Sequence, residues 1–228
     1  MRVLILNHGF IPPERYVAGQ GTRREQDFFA RNGYVTVHPD YRAHASSTPY
    51  DPPHHDFYVG YTADVAALID AIRESALPLL DEERIGMFGH SMGGGIAARI
   101  AVIKPEVRAY VLFAPISADV EDNFYELDPE EVAWLRKTYG EEGAEVYSKI
   151  SPLNFSQDVS APIQLHHGVA DKDVPLAFSE RMYTTLTILG KKAEFYQYPG
   201  QGHEFTEDWS LAARRAAQFF DMYVRGSR

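Results

Sequence analysis

The chain has 228 residues, 45% of them hydrophobic and 24% charged, which is ordinary for a soluble globular protein and enough for one domain with a substantial core. A formal net charge of -10 and a pI near 5.3 argue against nucleic acid or an anionic membrane surface as a partner. There is no cysteine, so disulfides, thiolate nucleophiles and cysteine-ligated zinc are excluded.

Val3 to Leu6 is a continuous apolar run and reads as a buried parallel strand. The run is too short for a signal-peptide core, and no stretch approaches the roughly 18 apolar residues of a membrane span, so a cytoplasmic protein is expected. Thr22 to Arg31 reads as a helix with Phe28 and Phe29 inward and Arg23, Arg24 and Glu25 outward, stopped by Gly33. Tyr34 to His38 is a second strand, followed by a long loop carrying Pro49, Pro52 and Pro53. From Tyr61 to Glu74 the residues Val65, Leu68, Ile69 and Ile72 recur at helical spacing.

Next comes Arg84 to Phe88, a short apolar strand, then Gly89-His90-Ser91-Met92-Gly93-Gly94 and an alanine-rich helix ending near Pro105. Tyr110 to Phe113, Ile163 to His166 and Glu194 to Tyr198 supply three more strands. Ser179 to Leu189 and Trp209 to Val224 read as helices. Strands alternating with helices imply a parallel sheet with helices on both faces and ligands at the carboxyl edge of the strands. Residues 117–155 break this rhythm. The segment is acidic, holds helices over Pro129 to Tyr139 and Glu141 to Lys149, and is rich in aromatics. It is either a surface excursion whose aromatics pack on the body or a small lid-like insertion walling the site.

Gly-x-Ser-x-Gly between a strand and a helix is the pattern of a nucleophile elbow, in which the serine occupies a sharp turn and its neighbours two places away must lack side chains. The alternative is a glycine-rich helix start with Ser91 as its cap. A serine hydroxyl needs a base, and the base needs an orienting acid. His203, in Gly200-Gln201-Gly202-His203 after the last strand, is the candidate base. Asp171, after the fifth strand, is the candidate acid in preference to Asp173, which could instead cap the following helix. For the oxyanion the expected donors are the backbone N–H groups of Phe10, in Asn7-His8-Gly9-Phe10, and of Met92. His90 is expected to pack and hydrogen-bond rather than act as a second base. His54-His55-Asp56 and His166-His167 are poor metal chelators, because adjacent strand residues face opposite ways. No cofactor or metal is expected.

These blocks together resemble the α/β-hydrolase superfamily, and within it stand-alone relatives of the prolyl oligopeptidase catalytic domain and of dienelactone hydrolase. The residues that carry the likeness are His8-Gly9-Phe10, Asp40-Tyr41-Arg42, the Gly89 to Gly94 block, His167-Gly168 with Asp171 and Val174-Pro175, and Gly202-His203. The resemblance implies a minimal α/β-hydrolase sheet of about six strands and a carboxylesterase acting on a small-molecule ester through an acyl-enzyme on Ser91. It also admits an aminopeptidase-like or cinnamoyl-type hydrolase and, outside enzymes, a ligand-binding receptor. Two departures bear on geometry. So small a sheet leaves an edge to cover, for which a homodimer is one solution. Where relatives often carry Asp-x-Arg-Gly-x-Gly, this chain has Ala43 and Ala45, and a different backbone is expected there.

Overall fold

The computed structural model describes residues 1–49, 59–126 and 129–226. The strands are β1 (Arg2–Asn7), β2 (Val35–Val37), β3 (Asp81–His90), β4 (Tyr110–Phe113), β5 (Ile163–Gly168) and β6 (Ala193–Tyr198). They form one parallel sheet in the order β2-β1-β3-β4-β5-β6. The chain leaves β1 toward one edge, for β2, and returns to build the rest on the other side. The strand order therefore reverses between β1 and β3, the crevice where open parallel sheets bind ligands.

Seven α-helices are described: α1 (Arg23–Arg31), α2 (Gly60–Glu74), α3 (Met92–Ile103), α4 (Pro129–Tyr139), α5 (Glu145–Ile150), α6 (Leu176–Ile188) and α7 (Trp209–Phe220). Alternate strand residues face opposite sides, and the core divides accordingly. Val3, Ile5, Met87 and Leu112 pack with Val65 and Ile69 of α2, Ile96 and Ile100 of α3, and Leu186 of α6. Leu4, Leu6, Phe88 and Val111 pack with Phe29 of α1 and with Ala212, Ala216 and Phe220 of α7. This is the α/β-hydrolase fold, six strands wide.

Three helices differ from their expected limits, each for a local reason. The helix expected from Glu141 starts only at Glu145, because Gly140 and Gly143 are left-handed (φ 102° and 84°) and break the chain between α4 and α5. The helix expected from Ser179 starts at Leu176, directly after Pro175, which a helix accepts at its entrance. At the far end, α7 gives way at Asp221 to a π-turn through Arg225. Glu25, expected to face outward, is buried. Its Oε1 accepts the Nε1–H of Trp209 at 2.6 Å, which ties α1 to α7, and burial raises its pKa.

The 117–155 segment shares the main core. Phe124, Leu135 and Tyr147 are buried in it, with Trp134 and Tyr139 packed against it. Its root is tied to α6, where the Arg181 guanidinium pairs with Asp122 and donates to Ser117 Oγ at 3.1 Å. The His54-His55-Asp56 run lies outside the described residues. No described helix is long and apolar enough to cross a membrane.

Candidate active site

Ser91 ends β3 and precedes α3 with φ 55° and ψ -122°, a backbone conformation that costs a non-glycine residue about 1–2 kcal/mol. Its side chain makes no capping hydrogen bond to α3, so it is not an ordinary helix cap. The turn is sharp enough to bring backbone against backbone. A Cβ on Gly89 would sit 2.3 Å from the Gly93 carbonyl oxygen, and one on Gly93 would sit 2.2 Å from the Asn7 carbonyl oxygen. Any side chain at either position would force α3 off β3 or off the end of β1. Both glycines are therefore required by space, as the elbow pattern predicts.

The same crowding sets the loop after β1 beside the serine. A Cβ on Gly9 would lie 3.2 Å from Ser91 Cβ. His8 Nδ1–H donates to the Gly9 carbonyl at 2.7 Å, which fixes that peptide just before Phe10. Burial drives the His8 pKa down to about 3, so the ring is neutral. Met92, the first residue of α3, has an N–H outside the helix's own bonding and stands at its positive end.

Asp171 and His203 meet from the loops after β5 and β6. His203 Nδ1–H donates to Asp171 Oδ2 at 2.8 Å, and the Asp171 side chain is fully buried. Asp171 Oδ1 accepts the N–H groups of Asp173 and Val174 at 2.9 and 3.0 Å. His167 Nε2 lies 3.2 Å from Oδ2. Burial alone would raise the carboxyl pKa, but these donors, His167 and His203 foremost, hold it well below the usual carboxylate range. For His203, burial opposes the imidazolium, yet the Asp171 hydrogen bond and charge outweigh it and the pKa stands above 6.5. Asp173 is exposed, and Pro175 rather than Asp173 occupies the cap position of α6. The two aspartates and His203 have ligand atoms within 4.8 Å of one another, but the His203 atom facing them is already spent on Asp171.

His90, in the middle of the elbow, holds the base loop. Its Nε2–H donates to the His203 carbonyl at 3.1 Å and the two rings lie 4.6 Å apart, which brings His203 to the residue preceding Ser91. Burial and then the charge of His203 lower the His90 pKa to about 4, so the ring is neutral near pH 7. Further anchors are Arg24, which donates to the Glu204 carbonyl, and buried Phe205 at φ 50°. A Cβ on Gly168 would fall 2.3 Å from the Gln201 carbonyl, so β5 presses directly on the base loop. Ser91 Oγ is not hydrogen-bonded to His203 in this resting arrangement, a contact that commonly tightens only with substrate bound.

Two further expectations meet the structure here. His166 and His167 do face opposite ways: His166 bonds to Tyr198 and Gln164, His167 to Ser179 and the Val174 carbonyl. Ala43 and Ala45, in contrast, keep the left-handed backbone that glycine would adopt freely, with φ 65° and 48°. His44 between them is buried and bonded to the Arg42 and Ile11 carbonyls, while Arg42 pairs with Asp64 of α2, and these bonds hold the two positive-φ residues in place.

Three comparisons bear on this geometry. A protein of Methylorubrum extorquens described as "Putative carboxymethylenebutenolidase" is 28% identical over 134 residues, covering 59% of this chain and 38% of the relative. The chain thus spans well under half the length of the curated relatives it matches. The structure of Pyrococcus horikoshii acylaminoacyl peptidase superposes with a TM-score of 0.78 at 22% identity, over 100% of this chain and 38% of that one. The Pyrococcus furiosus esterase Pf2001 superposes with a TM-score of 0.72 at 21% identity, over 98% of this chain and 83% of that one. The family model of the prolyl oligopeptidase family matches residues 20–226, nearly the whole chain. This α/β-hydrolase chain belongs to the prolyl oligopeptidase family.

Proposed function

We propose that the protein is a serine hydrolase that cleaves carboxylic esters through an acyl-enzyme on Ser91. The observation that carries this reading is the strained Ser91 turn beside a base already paired to a buried, ionised acid, His203 Nδ1 to Asp171 Oδ2 at 2.8 Å. Ser91 Oγ attacks the ester carbonyl carbon while His203 Nε2 takes the hydroxyl proton. The negative oxygen of the tetrahedral intermediate is met by the N–H groups of Phe10 and Met92. The carbon–oxygen bond to the alcohol then breaks, His203 returns the proton to the leaving oxygen, and water repeats the sequence to free the acid. Asp171 stays ionised throughout and stabilises the imidazolium. No cofactor enters this scheme.

We further propose that the residues of 117–155 left outside the core wall the acyl side of the site, which suits a small or medium acyl group or an aromatic acid; the burial of Phe124 and Tyr147 in the core favours the alternative, a surface excursion packed on the body. Membership of the prolyl oligopeptidase family supports a second reading, a small peptidase with the same triad. Hydrolysis of p-nitrophenyl esters from acetate to octanoate, run beside aminoacyl p-nitroanilides with wild type and Ser91→Ala, tests both. Ester turnover that exceeds anilide turnover and vanishes in Ser91→Ala is expected. Faster anilide cleavage would transfer the assignment to a peptidase, and equal activity in the two proteins would remove Ser91 from the mechanism.

A further inference from the structure

His167 is fully buried on β5, and the reaction above leaves it without a role. Both of its ring nitrogens are nevertheless engaged. Nε2 faces two groups that can only accept, the Val174 carbonyl at 3.0 Å and Asp171 Oδ2 at 3.2 Å. Nε2 therefore carries the proton, and Nδ1 accepts the hydroxyl hydrogen of Ser179 at 2.7 Å. Ser179 is itself fully buried in the first turn of α6, so the tautomer is set by a second hidden side chain. Asp171 Oδ2 is consequently shared by two imidazoles, His203 from the base loop and His167 from the sheet.

We propose that His167, with its tautomer fixed by Ser179, is a positioning residue for the acid–base pair, aiming Asp171 Oδ2 at His203 and drawing off part of its negative charge. The proposal rests on the hydrolase reading for its consequence in catalysis, but its geometry does not. The His167 Nε2–H, bonded to the Val174 carbonyl and 3.2 Å from Oδ2, weakens Oδ2 as an acceptor, so His203 holds its proton less tightly and can release it to the leaving group. A merely space-filling role would need no donor, and a phenyl ring would serve. The other titratable groups facing His203 are Asp173, Glu204 and His90, and none of them changes in the variants below.

The test is the titration of His203, followed by its ring-proton NMR signal and, separately, by the acid limb of the kcat/KM profile. His167→Phe removes the donor and keeps an aromatic ring. It should raise the His203 pKa by roughly half to one unit and lower kcat about tenfold. His167→Gln, whose amide can donate to the carboxylate, should recover most of both. Ser179→Ala frees the tautomer with a minimal change and should raise the pKa in the same direction by about a third as much. An unchanged His203 titration in both His167→Phe and Ser179→Ala would overturn the proposal, as would a glutamine variant no better than phenylalanine. Should His167→Phe fail to fold, Ser179→Ala and His167→Gln decide it. Absence of Ser91-dependent turnover in the wild type would overturn the hydrolase reading instead, while the NMR titration would still judge His167.

Discussion

At the end of β3, Ser91 is held by backbone packed on backbone, whereas at the ends of β5 and β6 the loops also pack closely at Gly168 but Asp171 and His203 are oriented by hydrogen bonds. The elbow tolerates nothing larger than hydrogen at Gly89 and Gly93, because the next atoms would be 2.3 and 2.2 Å away. The Asp171–His203 pair is instead fixed by several separable donors, among them His90, His167 and the Asp173 and Val174 amides. Steric fixation gives a geometry that is all or nothing and indifferent to pH. Fixation by hydrogen bonds to histidine gives one that weakens in steps and responds to protons. Under the proposed mechanism Ser91 needs the first kind, because its strained turn must not relax, and His203 needs the second, because it would change charge in each cycle.

The comparison breaks most severely at the elbow. Gly93→Ala should destabilise the protein by more than about 4 kcal/mol, since the clash is with backbone that no rotamer change can clear. Urea denaturation would read this as a collapse of the midpoint; a shift under 1 kcal/mol, on the order of an ordinary surface substitution, would contradict the steric account.

Acid should act next, through histidines rather than through the elbow. His8, His90 and His166 have pKa values lowered by burial, to about 3 and about 4 for the first two. A lowered histidine pKa means that the unfolded chain binds the proton more readily, so stability is complete above pH 6.5 and falls as pH drops below it. The loss approaches roughly 1.4 kcal/mol per pH unit for each such group, and continues until the folded pKa is reached. His203, whose pKa is raised, contributes in the opposite sense: its stabilisation is full below 6.5 and is lost as pH rises through the folded value. Thermal melts at pH 7 and pH 5 should therefore show a marked drop at pH 5, and equal melting temperatures would refute it.

A smaller and graded effect is expected from His90→Phe. The variant keeps a ring against His203 but loses the donor to its carbonyl, so kcat/KM should fall about tenfold while stability changes by about 1 kcal/mol. Loss of all activity would mean that His90 is part of the chemistry. A stability change of similar size but opposite sign should come from Ser91→Gly, which removes the hydroxyl and relieves the positive φ. It should abolish turnover yet raise stability by about 1 kcal/mol in chemical denaturation, and a destabilised variant would argue that the turn holds no strain.

Where a constraint is local and steric, sequence reveals it. Gly89, Gly93 and Ser91 were readable as an elbow because the spacing itself carries the geometry, and six strands were readable because each is a short apolar run between turn signals. Distance from the strand end favours Asp171 over Asp173, and it is Asp171 that pairs with His203. Features set by distant partners were not readable. Glu25 looks like a surface residue on its own helix, and only Trp209, 184 positions away, makes its burial sensible. The positive φ of Ala43 and Ala45 is not legible either, because the bonds of His44 to Ile11 and of Arg42 to Asp64 that hold it come from elsewhere in the chain. His167 reads as one of an adjacent pair and as part of the His167-Gly168 block, but nothing in the sequence marks it as a partner of Asp171 and Ser179, which come together through the loop and first turn after β5.

The proposed mechanism requires Ser91, and no other serine, to be the nucleophile. Incubation with a fluorophosphonate, followed by intact mass and peptide mapping, tests it without any assumption about substrate. One phosphonyl group per chain, located on Ser91 and absent from Ser91→Ala and His203→Ala, is the predicted result. An unlabelled wild-type protein, or a label on any other residue, would contradict it.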